Sequence, residues 1–268
     1  MKTRILAGLA MLPLLLIVYF GGWVLWAACL VIGVMAVYEF YKGFKALDVK
    51  PSFPIGAAGA VLLYIINLVA CGGSLDGEIE YRWFMVWFFI CVTASLLYLF
   101  KIEERRLEDG LATLAGLFYV VFFSFHITLI DQTDEYSILV WLVFITAFGT
   151  DIFAYFAGVT LGKHKLCPKI SPKKSIEGSI GGILGSVILS GAFSMIFAED
   201  MLIHCMIIGI LGGIISQFGD LTASIFKRKM GIKDYGNLIP GHGGIMDRFD
   251  SVLFTGPMVY YYIILVVM

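Results

Sequence analysis

The residues with the greatest capacity for chemistry crowd into one stretch, Ser224 to Asp250, which reads S-I-F-K-R-K-M-G-I-K-D-Y-G-N-L-I-P-G-H-G-G-I-M-D-R-F-D. Lys227, Arg228, Lys229, Lys233 and Arg248 bring positive charge, and Asp234, Asp247 and Asp250 bring carboxylates. Gly236, Gly241, Gly243 and Gly244 let the backbone approach a ligand closely, with His242 among them. Fixed cations beside flexible backbone suit phosphate groups, and carboxylates beside phosphates suit Mg²⁺. The plain alternative is a solvated basic loop flanking a membrane. Such a loop has no need of a Gly-His-Gly-Gly turn that runs into Asp-Arg-Phe-Asp.

Two more carboxylates lie inside apolar runs. Ser216, Asp220 and Ser224 are spaced i, i+4, i+8 and share one helix face with Gln217 and Lys227. A polar stripe on a membrane helix must face protein or a wet cavity, because lipid offers no hydrogen-bond partner. Its continuation into the Ser224–Asp250 stretch favours metal ligation by Asp220 over a structural pairing with a Lys near the helix end. Asp151, in T-D-I-F-A-Y-F-A-G, shares its face with Ala147, Ala154, Tyr155 and Gly158. Small residues there permit close helix approach, so a structural hydrogen-bond anchor and a place in the site both stay open.

The Ser224–Asp250 stretch resembles the phosphatidate cytidylyltransferase family, also called CDP-diacylglycerol synthases. The family pattern is S-x-apolar-K-R, four residues, K-D, a small residue, a Pro, H-G-G, and D-R-apolar-D. Every position is met, from Ser224 through Lys227-Arg228, Lys233-Asp234, Gly236, Pro240 and His242-Gly243-Gly244 to Asp247-Arg248-Phe249-Asp250. The loop Lys163–Gly178 carries Ser171-Pro172-Lys173-Lys174, similar to a second family motif, S-P-K-K-T-x-E-G with an aromatic at x. Ser175 replaces the Thr and Ile176 the aromatic, so a hydroxyl survives and a stacking face does not. Asp151 stands in a run similar to the family's T-D-x-x-A-Y-x-x-G.

The resemblance implies an all-α polytopic membrane transferase that converts CTP and phosphatidate into CDP-diacylglycerol and pyrophosphate. It implies Lys227, Arg228, Lys233, His242 and Arg248 as catalytic groups. Ser224, Gly241, Gly243, Gly244, Lys173, Lys174 and Asp151 are implied in substrate binding. Asp220, from its place on the polar helix face, and Asp247 and Asp250 are read as ligands of Mg²⁺, with one cation or two. The expected partners are CTP, phosphatidate and the lipid bilayer, and no nucleic acid. Two rival functions are a CTP-dependent kinase of a polyprenol-type lipid and a lipid transporter using Asp151 and Asp220 as an ion path. Transporters often show repeated halves, and no clear internal repeat is visible here.

Composition places these residues in a membrane without help from the family. The chain is 60% hydrophobic and 15% charged, with mean hydropathy +0.92. Soluble domains carry about 25% charged residues. Nine apolar spans are expected, at about 5–20, 22–40, 54–72, 83–100, 111–130, 137–162, 178–197, 201–226 and 249–267. The first is read as one arm of a helical hairpin, since no small-x-small cleavage site follows Met1-Lys2-Thr3-Arg4. With the N-terminus in the cytoplasm, all of the 19 Lys and Arg residues except Arg82 fall on cytoplasmic segments or span ends. The outer loops are acidic, at Asp76, Glu78 and Glu80, at Asp131, Asp134 and Glu135, and at Glu199 and Asp200. This fits the positive-inside rule. The expected location is the inner or plasma membrane, multi-pass, with the active site facing the cytoplasm and the C-terminus outside.

Two regions are expected: N-terminal transmembrane helices over 1–110, and a catalytic transmembrane region over 111–268 with cytoplasmic loops 163–178 and 227–247. The seventh span has Gly178, Gly182, Ser186 and Ser190 at four-residue steps, with Gly181 and Gly185. This stripe packs either within the bundle or between subunits of a homodimer. The five cysteines form no C-x-x-C pair, and His126 and His204 read as structural. Gly158–Lys163 is not a P-loop, being one residue short and followed by His164 in place of Ser or Thr.

Overall fold

The computed structural model of the chain describes residues 12–71, 81–238 and 243–268. Outside them lie Met1–Arg4, the acidic group Asp76, Glu78 and Glu80, and Pro240, Gly241 and His242. Among the described residues, seven helices are long and apolar enough to cross a membrane: Gly22–Leu47, Phe53–Ala70, Arg82–Phe100, Leu107–Asp131, Asp134–Leu161, Ile176–Phe197 and Glu199–Lys229. These coincide with the second to eighth expected spans to within four residues, except that the first of them runs on to Leu47 where the expected span ends at 40. Val252–Val267 is a shorter apolar helix, and Leu12–Phe20 is the described end of the first span. The chain is an all-α, multi-pass membrane protein. Phe89, Phe156, Leu184 and Ile188 stay exposed on these helices, as lipid-facing residues do when the solvent is hydrocarbon.

The described elements are α1 (Leu12–Phe20), α2 (Gly22–Gly43), α3 (Phe53–Ala70), α4 (Tyr81–Leu97), α5 (Leu107–Ala115), α6 (Phe123–Asp131), α7 (Val140–Leu161), β1 (Lys165–Cys167), β2 (Ser171–Ser175), α8 (Ile176–Phe197), α9 (Leu202–Lys229), α10 (Met246–Phe249) and α11 (Val252–Tyr262). Backbone contacts divide the chain into two compact units, Met1–Asp134 with Lys229–Arg248, and Glu135–Arg228 with Phe249–Met268.

The first unit is an aromatic-rich bundle of α2 to α6. A π-helical turn, Gly116–Phe122, joins α5 to α6. Phe40, Leu63, Tyr64, Trp87, Leu117 and Phe125 are fully buried. Glycines admit the large rings: a Cβ at Gly116 would overlap Tyr41, and one at Gly59 would overlap Leu117. Several buried polar groups find partners inside the unit, as the medium favours. Tyr41 donates to the Thr113 carbonyl at 2.6 Å, Trp87 Nε1 to the Gly59 carbonyl at 2.8 Å, and Asn67 pairs with Gln132 through bonds of 2.9 and 3.1 Å. The segment after α9 returns to this bundle, where Met230, Ile232 and Tyr235 lie against Gly43 of α2.

The second unit is built on α7 and α8. Gly185 admits Phe153, Gly181 admits Ala157, and Gly178 and Gly182 lie against the carbonyls of Ala154 and Thr150. Farther along α8, Ser186 and Ser190 meet Gly213 and Gly209 of α9. The small-residue stripe of the seventh span thus packs against helices of its own chain. Helix α11 docks on α7, where Thr255 Oγ1 donates to the Val143 carbonyl at 3.1 Å.

The loop between α7 and α8 holds an element that the sequence did not disclose. Strands β1 and β2 pair antiparallel, with Lys165 opposite Ser175 and Cys167 opposite Ser171. Ser175 then caps α8, its hydroxyl accepting from Gly178 N–H at 3.1 Å. Glu177 closes the hairpin base: its carboxylate accepts from the Lys163 and His164 N–H groups at 3.1 and 3.2 Å and meets His164 Nδ1 at 2.6 Å.

Candidate active site

In the second unit, the polar face of α9 meets the hairpin. Ser216 and Gln217 are buried, Ser224 is half-buried, and Asp220 sits between them in the helix. The Lys174 ammonium of β2 forms an ion pair with the Asp220 carboxylate, each side chain about one-quarter exposed. The sequence reading allowed Asp220 a Lys near its own helix end; the partner instead comes from Ser171-Pro172-Lys173-Lys174. The Ser171–Lys174 segment and the polar face of α9 therefore form one constellation. A cavity of about 580 Å³ opens beside the pair, lined by Asp151, Tyr155, Lys173, Lys174, Gln217 and Asp220. That volume lies in the range of small-molecule sites. The tip of the hairpin is tied back to α9, since Arg228 Nε donates to the Ile170 carbonyl at 3.4 Å.

The chain re-enters this unit at Phe249 and Asp250. Gly219 makes the approach possible, because a Cβ there would stand 2.7 Å from the Asp250 carbonyl oxygen and 3.0 Å from Ser251 Cα. Asp250 is buried, accepts from the Ser251 N–H at 2.8 Å, and lies within electrostatic range of Asp220, Lys227 and Asp151. Three carboxylates expected in the site, Asp151, Asp220 and Asp250, are thus gathered with Lys174 and Lys227 in one unit.

The first unit holds the glycine-rich part of the motif. Gly243 has φ +83°, a left-handed conformation that side chains resist. Asp247 Oδ2 accepts from the N–H groups of Tyr235 at 2.8 Å and Gly244 at 2.9 Å, joining the chain before and after residues 239–242. Lys233 and Asp234 are exposed. Arg248 is half-buried, and among the described residues its buried Nε has no hydrogen-bond partner. A buried guanidinium N–H without an acceptor is costly, unless an anion supplies one. Gly241 and His242 lie outside the described residues.

One participant escaped the sequence reading. Glu39 of α2 is buried, and its Oε2 accepts from the Met246 N–H at 2.9 Å. The signal was available: Glu39 is a lone acid in an apolar span, and such residues are functional candidates by default. His126 Nδ1 lies 2.8 Å from the Phe122 carbonyl oxygen, and His204 Nδ1 lies 3.0 Å from Tyr262 Oη.

A family model described as "Cytidylyltransferase family" matches residues 2–266. The chain belongs to the cytidylyltransferase family. It is 33% identical over 264 residues to a protein of Bacillus subtilis (strain 168) named phosphatidate cytidylyltransferase, covering 97% of each chain. A protein of that name from Staphylococcus haemolyticus (strain JCSC1435) is 33% identical over 265 residues, 96% of this chain and 95% of the other. A third of the same name, from Rickettsia bellii (strain RML369-C), is 44% identical over 130 residues, 46% of this chain and 56% of the other.

Cytidylyltransferases of this kind are in general metal-dependent. Among the described residues no three His, Cys, Asp or Glu side chains converge closely enough to hold a metal ion. Mg²⁺ needs no such cage, since it takes one or two carboxylates and completes its shell with phosphate oxygens and water. Asp220 and Asp250 fit that sparse donor set. The Asp220 carboxylate is also met by the Lys174 ammonium.

Proposed function

We propose that this cytidylyltransferase transfers the cytidylyl group of CTP to phosphatidate, forming CDP-diacylglycerol and releasing pyrophosphate at the cytoplasmic face of the cell membrane. The observation that carries this reading is the Lys174–Asp220 pair. It joins the lysine-rich hairpin to a polar helix face beside a cavity in membrane-spanning helices. The relatives' shared name supplies the identity of the two substrates.

The reaction places modest demands on a base. A phosphate oxygen of the lipid attacks the α-phosphorus of CTP, a new P–O bond forms, and the bond to the β-phosphate oxygen breaks with its electron pair leaving on pyrophosphate. The nucleophile is already anionic near neutral pH. The barrier is mutual repulsion of phosphates and the charge that develops on the leaving group. Lys227 and Arg228 stand where α9 leaves the apolar region, the depth of a lipid headgroup, and there they hold the phosphatidate phosphate. Lys173 and Lys174 present ammonium groups to the cavity and bind phosphates entering it. Ser224 offers a hydroxyl on the same helix face. Gly243 and Gly244, with Gly241 and His242 of the same motif, cradle the triphosphate, while Lys233 and the Arg248 guanidinium bind its charge. Asp220 and Asp250 would hold Mg²⁺, and from the motif alone we also propose Asp247 as a ligand. The chemistry such an ion would supply is neutralisation of charge on the phosphates. Asp151 borders the same cavity and orders polar groups within it. The lysine-rich hairpin and the end of α9 face the cytoplasm in this reading, as does the N-terminus.

The test is direct. Purified protein in vesicles should convert CTP and phosphatidate into CDP-diacylglycerol and pyrophosphate in equal amounts, with little product from ATP, GTP or UTP. Release of CDP with phosphorylation of an added polyprenol would establish the kinase reading instead. Absence of any pyrophosphate would remove the transferase reading.

A further inference from the structure

We infer that Glu39, far from the motif in sequence, is a positioning residue that clasps the motif backbone at Gly236, Gly244 and Met246. Glu39 is 8% exposed and shares a face of α2 with Ala36 and Gly43, both buried. A carboxylate in that setting must be offset by hydrogen bonds. Its Oε2 accepts from the Met246 N–H, 207 residues away. The carboxylate also lies directly on two glycines of the motif: a Cβ at either Gly236 or Gly244 would overlap it. Asp247 acts from the other end, binding the N–H groups of Tyr235 and Gly244. Two carboxylates thus hold the backbone on both sides of residues 239–242, one from within the motif and one from α2.

The physical need is clear. Glycine-rich backbone loses more freedom on ordering than any other, and a loop that orders only on binding weakens its ligand by that amount. Fixing Tyr235, Gly236, Gly244 and Met246 in the folded protein moves the cost out of the binding step. Preformed donors also stabilise developing charge without rearranging during the reaction. Gly236 and Gly244 serve a second end besides flexibility: a Cβ at either would press on the Glu39 carboxylate and displace it. The role in turnover rests on the function proposed above, whereas the clasp itself does not.

The experiment compares wild type with E39Q and E39A, in vesicles, by substrate kinetics and by hydrogen exchange over residues 235–247. The Gln variant keeps the size and removes the charge. It should raise the CTP KM by about tenfold, the size expected when a charge-assisted hydrogen bond is lost, with the phosphatidate KM and Tm close to wild type. Exchange should quicken over residues 235–247 and stay unchanged in α7 and α8. The Ala variant should exceed the Gln variant in both readouts. An unchanged CTP KM in both variants would overturn the positioning role. So would a parallel loss in both substrates' constants with a fall in Tm and faster exchange throughout, which marks a merely structural group. If wild type itself transfers no cytidylyl group, the proposed function fails. The exchange comparison still decides the clasp, which is overturned by unchanged exchange over 235–247.

Discussion

Substituting Gly219 by Ala tests whether the contact between α9 and the start of the last helix positions Asp250. The added Cβ would stand 2.7 Å from the Asp250 carbonyl oxygen, 3.0 Å from Ser251 Cα and 3.2 Å from Phe254 Cδ2. Two of the three obstacles are backbone atoms, so no rotamer change relieves them, and one chain must move by several tenths of an ångström. Overpacking of this kind costs about 1–3 kcal/mol. The larger effect falls on chemistry, because Asp250 moves with its own carbonyl, and a misplacement of about 1 Å can cost on the order of 100-fold in rate. The expected result is a kcat loss of about tenfold to 100-fold and a raised Mg²⁺ requirement, with protein still in the membrane. Gly191 of α8 is the control: its added Cβ would meet only Met206 Cγ at 3.6 Å, an ordinary contact. G191A should keep full activity and gain up to about 1 kcal/mol from helix propensity. The assay is initial rate of CDP-diacylglycerol formation against Mg²⁺ concentration, beside a thermal melt in detergent. G219A with wild-type rate and melt would refute the argument that this approach sets the carboxylate.

The Lys174–Asp220 pair should behave as a unit. D220N should lower kcat/KM by at least about 100-fold and K174A by about tenfold, and the double variant should be no worse than D220N alone, as expected of groups sharing one site; a multiplicative loss would separate them. Topology is checked with single cysteines at Lys169 and Lys229, both exposed, in a background lacking the five native cysteines. A membrane-impermeant thiol reagent should reach both only from the cytoplasmic side, and one at Gly77 only from outside; the opposite pattern at any position would invert the orientation.

Much of this protein is legible in its sequence because the relevant physics is local. Bilayer thickness sets the length of an apolar run, so spans expected at 83–100 and 178–197 match Arg82–Phe100 and Ile176–Phe197. The motif from Ser224 to Asp250 announces phosphate and metal chemistry through residue types alone. Asp220 and Ser224 on one helix face follow from helical periodicity.

What the sequence left undecided is what each charged group touches. Lys163–Gly178 reads as a loop, because strands of three and five residues rich in Lys and Pro carry almost no periodic signal; their pairing depends on Glu177 and Ser175 closing the base. Lys174 on Asp220 joins two segments whose separation in sequence gives no hint of contact. The small-residue stripe of α8 could have served another subunit, and only packing against α7 and α9 shows what it admits. Glu39 is the extreme case. Nothing near it in the chain tells why an acid is buried there, since its partner backbone arrives 207 residues later. Helix formation and membrane insertion are decided by neighbours in sequence, but the worth of a buried carboxylate is decided by whichever N–H groups the fold delivers to it.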